Sequence, residues 1–263
     1  MPLADLGDVQ INYSLTGPAN GAPVVFAHAL GLEARIWDPV IARLPDGLRI
    51  LTYDLRGHGR SSVPEGPYSM GALVRDAERL LDFCEIRDSL FVGLSVGGMI
   101  AQGLAIKRLD QIRALVLSNT AAKIGTPEIW QRRMETIRAG GLSAISAETM
   151  QRWFPRAYLK SGAAAATEAL VAGQSVDGYL GCCAAIAGTD FYTPTSGLRL
   201  PVLGIAGSED GSTPPDLVRE TTELIPGARF ALLRRTGHVP PIDQPDAYAG
   251  QLTKFITEIG HLG

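Results

Sequence analysis

Cysteine is scarce. The 263-residue chain has three, Cys84, Cys182 and Cys183, with no metal-ligand spacing and no basis for a disulfide framework. They read as small buried hydrophobes of a reducing compartment. Histidine is almost as rare, at four residues, so chemistry that needs an imidazole base has few candidates. Charge of one sign is lacking too. The 24 basic and 27 acidic residues leave a net charge of −3, which argues against nucleic acid or an anionic membrane surface as partner. An anionic ligand would have to be caught by local arginines. No apolar run approaches membrane-spanning length, and the opening MPLADLGDVQINYSLTG lacks the basic start and apolar core of a signal peptide. The expected location is the cytoplasm.

What is present is the composition of an ordinary globular protein, 46% hydrophobic and 19% charged, long enough for one large core. Short apolar runs alternate with helical patterns, which predicts a mainly parallel sheet with helices on both faces. Strands are predicted over Val9–Ser14, Val24–His28, Ile50–Asp54, Ser89–Leu94, Ala114–Leu117, Val202–Ala206 and Phe230–Leu233. Helices are predicted near Trp37–Leu44, Met70–Cys84, Val96–Lys107, Pro215–Leu224 and Tyr248–Gly260. From Ala122 to Gly188 no strand is predicted, only helical sequence such as PEIWQRRMETIRAGG. The expected division is therefore a core of residues 1–121 and 189–263 with a helical cap over 122–188. An insertion between parallel strands would sit over their carboxyl ends, where open α/β sheets bind ligands.

One stretch carries chemistry. In FVGLSVGGM an apolar run ends at Gly93-Leu94-Ser95-Val96-Gly97 and a helix follows. A serine between glycines at a strand-to-helix joint is the pattern of a nucleophile elbow. A serine hydroxyl needs a base, and the base needs an orienting carboxylate. Only His238 and His261 follow Ser95. His261 lies two residues from the end, whereas His238 follows the last predicted strand in RRTGHVPPIDQP. For the acid, Glu209 and Asp210 compete after Val202–Ala206, and Asp210 stands where the loop turns toward a helix. The position after Ala114–Leu117 offers Ser118-Asn119-Thr120 and no carboxylate. The backbone N–H of Val96 is the expected first oxyanion donor. The second is expected in His28-Ala29-Leu30-Gly31, at Leu30 with Ala29 as the alternative. His28 and His58 read as loop supports.

HALG, DLRGHGRSS, GLSVGGM, GSEDGSTPP and GHVPPIDQP occur in the order of the α/β-hydrolase fold family, which the chain resembles along its whole length. The resemblance implies a mostly parallel sheet, a helical cap inserted after the sixth strand, and a Ser95, Asp210, His238 triad. LSNTAAKIGTPEIW, RWF and YLGCCAAI are similar to the 3-oxoadipate enol-lactonases within that family. The His238 loop and TDFYTPTSGLRLP follow them less. This likeness implies hydrolysis of a small anionic lactone without metal or cofactor, in aromatic degradation. The alternatives are a general carboxylesterase, another lactonase or perhydrolase, or a ligand receptor that retained the triad. For the substrate carboxylate the expected partner is Arg133, three residues after Trp130 as in the family's Trp-x-x-Arg, with Arg132 and Arg152 as alternatives. Trp130 and Trp153 are expected at the pocket or at the boundary between cap and core. Nothing in the sequence sets an oligomeric state.

Overall fold

The computed structural model describes residues 2–262. Eight strands form one sheet: β1 (Leu3–Asp5), β2 (Gln10–Thr16), β3 (Ala22–Ala27), β4 (Leu48–Tyr53), β5 (Ser89–Leu94), β6 (Ile112–Ser118), β7 (Val202–Gly207) and β8 (Arg229–Leu233). Their spatial order is β1-β2-β4-β3-β5-β6-β7-β8. Strand β2 pairs antiparallel with both β1 and β4, and β3 to β8 run parallel to one another. Every residue of β5 and β7 is buried. Such runs suit a sheet covered on both faces.

The helices Met70–Phe83 and Val96–Lys107 pack on each other, and Pro245–Glu258 packs with the short helix Asp38–Ile41. Ser69 caps the first of these by accepting from the Ala72 N–H. Two of the predicted boundaries moved for local reasons. In place of a Trp37–Leu44 helix there is a 3₁₀ turn, Ala34–Trp37, followed by Asp38–Ile41. The last helix begins at Pro245 rather than Tyr248, with proline serving as a helix starter. Strand β1 was not predicted, because three residues carry too little alternation to read.

Between β6 and β7 lie the helices Pro127–Gly140, Ser143–Trp153, Arg156–Lys160, Ala165–Ala172, Val176–Ala187 and Tyr192–Ser196, and among the described residues no strand. Thr126 and Ser175 cap two of them through their side-chain oxygens. No single helix among the described residues is long and apolar enough to cross a membrane.

The loop after β4 is fixed by buried charge. Arg56 donates twice to Asp76, Nε to Oδ2 at 2.5 Å and Nη2 to Oδ1 at 2.6 Å, and the two side chains are 5% and 3% exposed. Asp54 accepts from Asn12 Nδ2 at 2.7 Å, the Ala34 N–H at 2.7 Å and the Arg60 N–H at 2.9 Å. DLRGHGRSS is thus scaffold, as its sequence suggested.

Candidate active site

Leu94 ends β5 and Val96 starts the next helix, leaving Ser95 alone to make the turn. Its φ of 56° and ψ of −116° are costly for a residue with a side chain. Its N–H donates to the Ser118 carbonyl at 2.9 Å, and its carbonyl accepts from Thr120 Oγ1 at 2.6 Å. A Cβ at Gly97 would overlap the Ala27 carbonyl, and one at Gly93 would overlap the Gly97 backbone. The flanking glycines are therefore required by close approach. The Ser95 side chain sits at a residue 8% exposed, and its hydroxyl has no hydrogen-bond partner among the described residues. A long or absent serine–histidine bond is common in sites without substrate.

Ser95, Asn119, Asp210 and His238 follow β5, β6, β7 and β8, which are adjacent and parallel. All four consequently emerge at one edge of the sheet. Asp210 Oδ2 lies 2.8 Å from His238 Nδ1, and also accepts from Asn119 Nδ2 at 2.9 Å and Thr213 Oγ1 at 2.7 Å. Its Oδ1 accepts the N–H groups of Ser212 and Thr213 at 2.7 and 3.0 Å. Burial works to raise the Asp210 pKa, but the His238 charge and the bonds from His238, Asn119 and Thr213 outweigh it and hold the carboxyl below its usual range. An ionised carboxylate at Nδ1 keeps a proton there and leaves Nε2 as the imidazole acceptor. Glu209 points to solvent as an exposed residue, so of the two competing carboxylates only Asp210 meets the imidazole.

Asn119 was missed by sequence reasoning. From the post-β6 position that lacked a carboxylate, its amide bonds both Asp210 and, at 3.1 Å, the Gly237 carbonyl. Asp243 was missed as well: its carboxylate accepts from the Gly237 N–H at 3.0 Å and from the Thr236 hydroxyl.

The turn after β3 is held by two histidines. His28 Nε2 accepts the Leu55 N–H at 2.9 Å, so Nδ1 carries the proton facing the Ala29 carbonyl at 2.8 Å. His58 Nε2 accepts the Gly31 N–H at 2.9 Å. Burial pushes the His28 pKa down, and burial together with nearby His28 pushes His58 down to about 3. Both rings are neutral props. With the Gly31 N–H on His58 and the Leu32 N–H on the Ala29 carbonyl, the turn keeps the N–H groups of Ala29 and Leu30 without partners among the described residues. Val96, first in its helix, has no intrahelical acceptor for its N–H either.

The inserted helices bring further residues to this edge. Trp153 is buried, with its ring centroid 5.7 Å from that of His238. Arg133 Nη2 donates to Thr149 Oγ1 at 2.9 Å and Tyr179 OH at 2.7 Å. Tyr179 in turn would be the first atom met by a Cβ on Gly31, which ties the arginine to the His28–Gly31 turn. Arg152 makes one ion pair among the described residues, at 3.9 Å to exposed Glu148. Burial and the charge of neighbouring Arg133 lower its pKa. The Nε atoms of Arg133 and Arg152 are buried without a hydrogen-bond partner. Arg132 is exposed. Trp130 is half-buried and donates through Nε1 to the Ile124 carbonyl at 2.6 Å, anchoring the start of its own helix. No group of three or more metal-ligating side chains occurs among the described residues.

The sequence profile described as "Alpha/beta hydrolase family" matches residues 24–251. A 3-oxoadipate enol-lactonase of Acinetobacter baylyi is 33% identical over 243 residues, 92% of this chain and 91% of that one. The crystal structure of the enol-lactonase from Burkholderia xenovorans superposes with a TM-score of 0.93 at 33% identity, covering 97% of this chain and all of that one. A malate-bound thermophilic esterase from Thermogutta terrifontis gives a TM-score of 0.90 at 25% identity, over 97% and 96% of the two chains. With its elbow serine, its strand order and these likenesses, the chain belongs to the alpha/beta hydrolase family.

Proposed function

We propose that the protein hydrolyses small lactones or carboxylic esters through a Ser95–His238–Asp210 triad, with 3-oxoadipate enol-lactone as substrate and 3-oxoadipate as product. The observation that carries this reading is the elbow serine sharing a sheet edge with an imidazole bound to a buried, ionised aspartate. His238 Nε2 takes the Ser95 proton as Oγ attacks the lactone carbonyl. The N–H groups of Val96 and Leu30 hold the oxyanion. Collapse expels the ring oxygen as an enolate, which stays tethered to the acyl group and takes the proton back from His238. Water, deprotonated by the same imidazole, then releases the acid and free Ser95. Residues 122–188 act as the cap over this site, and three free, buried cysteines suit the reducing cytoplasm.

The arginines support an anionic substrate. Burial and the charge of neighbouring Arg133 both lower the Arg152 pKa, and among the described residues its one ion-pair partner is exposed Glu148 at 3.9 Å, so a substrate carboxylate would be favoured beside the two guanidiniums. The sequence pointed to Arg133 as the partner of the carboxylate, with Arg132 and Arg152 as alternatives, and an arginine grips a carboxylate best with two nitrogens. Yet Arg133 Nη2, which belongs to both two-nitrogen edges of the guanidinium, already serves Thr149 and Tyr179. Arg152 therefore supplies the free fork and Arg133 the second charge. The enol-lactonase names of the relatives fit a lactone with a carboxymethyl arm. The malate-bound esterase favours, as second reading, a broader esterase for anionic esters.

The test is turnover of the enol-lactone and of neutral p-nitrophenyl esters by wild type and four variants. Ser95→Ala and His238→Ala should each lower kcat about 10⁴-fold with the fold intact. Asp210→Asn should be severe and Glu209→Gln mild. Ester turnover without lactone turnover would favour the second reading. A more damaging Glu209→Gln would overturn the acid assignment.

A further inference from the structure

The carboxyl end of the Ser143–Trp153 helix meets the catalytic loops through its backbone. A helix leaves its last carbonyls without intrahelical donors. Here two consecutive ones have partners from outside the insertion. The Arg152 carbonyl accepts the Gly211 N–H at 2.9 Å, and the Trp153 carbonyl accepts the His238 N–H at 2.7 Å. Gly211 follows the acid, and His238 is the base itself. The fit is close on both sides. A Cβ at Gly237 would overlap the Trp153 carbonyl, and a Cβ at Gly211 would lie 3.1 Å from the Arg152 carbonyl. The indole of Trp153 completes the contact, tilted 31° from the His238 ring.

We propose that Trp153 is a positioning residue for His238, and that the end of its helix stays fixed on the core during turnover instead of opening as a lid. The inference rests on the triad reading above, but it assigns Trp153 to the base rather than to the substrate. Three consequences follow from the chemistry. The His238 amide is held by the Trp153 carbonyl while Gly237, one residue earlier, is held by Asn119 and Asp243, so the imidazole has little freedom to swing. The indole lies within the distance at which an aromatic face stabilises a cation, and the cation in question is the imidazolium formed when Ser95 gives up its proton. Opening of the helix end would break both backbone bonds and release acid and base together, so substrate must enter elsewhere.

The test uses Trp153→Leu and Trp153→Phe, which keep the carbonyl, on a neutral p-nitrophenyl ester whose binding does not involve the arginines. Trp153→Leu should lower kcat about tenfold, leave KM within about twofold, and move the acid limb of the kcat profile to lower pH by about half a unit as the imidazolium loses its aromatic face. Trp153→Phe should recover most of both effects. A raised KM with unchanged kcat and pH profile would make Trp153 a substrate wall and overturn the proposal. Amide hydrogen exchange on the wild-type protein tests the fixed contact independently of any variant. The His238 amide should be protected as strongly as those of β7, and rapid exchange would refute a permanently docked helix end. Activity surviving Ser95→Ala or His238→Ala would instead remove the triad reading, whatever the Trp153 variants do.

Discussion

Arg152→Gln separates substrate recognition from catalysis and from folding. A guanidinium and a carboxylate about 4 Å apart attract by about 4 kcal/mol at the effective dielectric of a protein surface. The Arg152 side chain is 36% exposed, so water weakens the pair, and about 2 kcal/mol is the expected loss on substitution. That corresponds to a fall of about 30-fold in kcat/KM for the anionic enol-lactone. A neutral p-nitrophenyl ester should lose less than about twofold, since it has no charge for the arginine to hold. Stability should not fall, because among the described residues the Arg152 side chain has no hydrogen-bonded partner and only a long ion pair with exposed Glu148, and its removal relieves Arg133 of a like charge. Steady-state kinetics on both esters and a urea titration decide the matter together. Equal losses on the two substrates would show that Arg152 supports the helix and not the substrate. Arg133→Ala should show the same preference for the anionic ester, but with an added stability loss from its bonds to Thr149 and Tyr179.

Further outcomes concern the scaffold. Burial raises the Asp243 carboxyl to about 6, so between the unfolded value near 3.8 and about 6 the folded state binds more protons; wild type should gain up to about 3 kcal/mol relative to Asp243→Asn as pH falls from 7 to 4, read from urea midpoints, and a constant difference would refute it. Arg56→Met strands Asp76 and should cost about 3–5 kcal/mol, most of it recovered in Arg56→Met/Asp76→Leu; an additive double variant would deny the pairing. Gly97→Ala should cost about 1–3 kcal/mol through overlap with the Ala27 carbonyl, with activity falling further as Ser95 shifts; near-wild-type kinetics would show that the elbow has room.

Where the determinants were local, the sequence could be read. The mostly apolar runs at Ser89–Leu94 and Val202–Ala206 announce buried strands, and a serine between glycines at a strand end announces a turn that only crowding explains. The choice of Asp210 over Glu209 also rested on the turn around it. What could not be read depends on long reach. Asn119 acts on a carboxylate 91 positions away, and Arg133 is partly committed to Tyr179, 46 positions on, so its motif suggested a fork it cannot offer alone. Trp153 was expected at the pocket or at the boundary between cap and core, but nothing in Arg-Trp-Phe indicates that its carbonyl will meet the His238 N–H.

The order of strands along the chain has a consequence for synthesis. In the proposed triad Ser95 follows the fifth strand and His238 follows the eighth, so a ribosome must translate more than 140 further residues after Ser95 before its proposed base exists. At about 5–20 residues per second, this interval lasts on the order of 10 s. Until then the nascent chain carries an unarmed serine, and β7 has no β8 to cover its outer side. Under the proposed mechanism hydrolysis begins only when the last strand has docked, which would make ester turnover a direct clock for completion of the sheet.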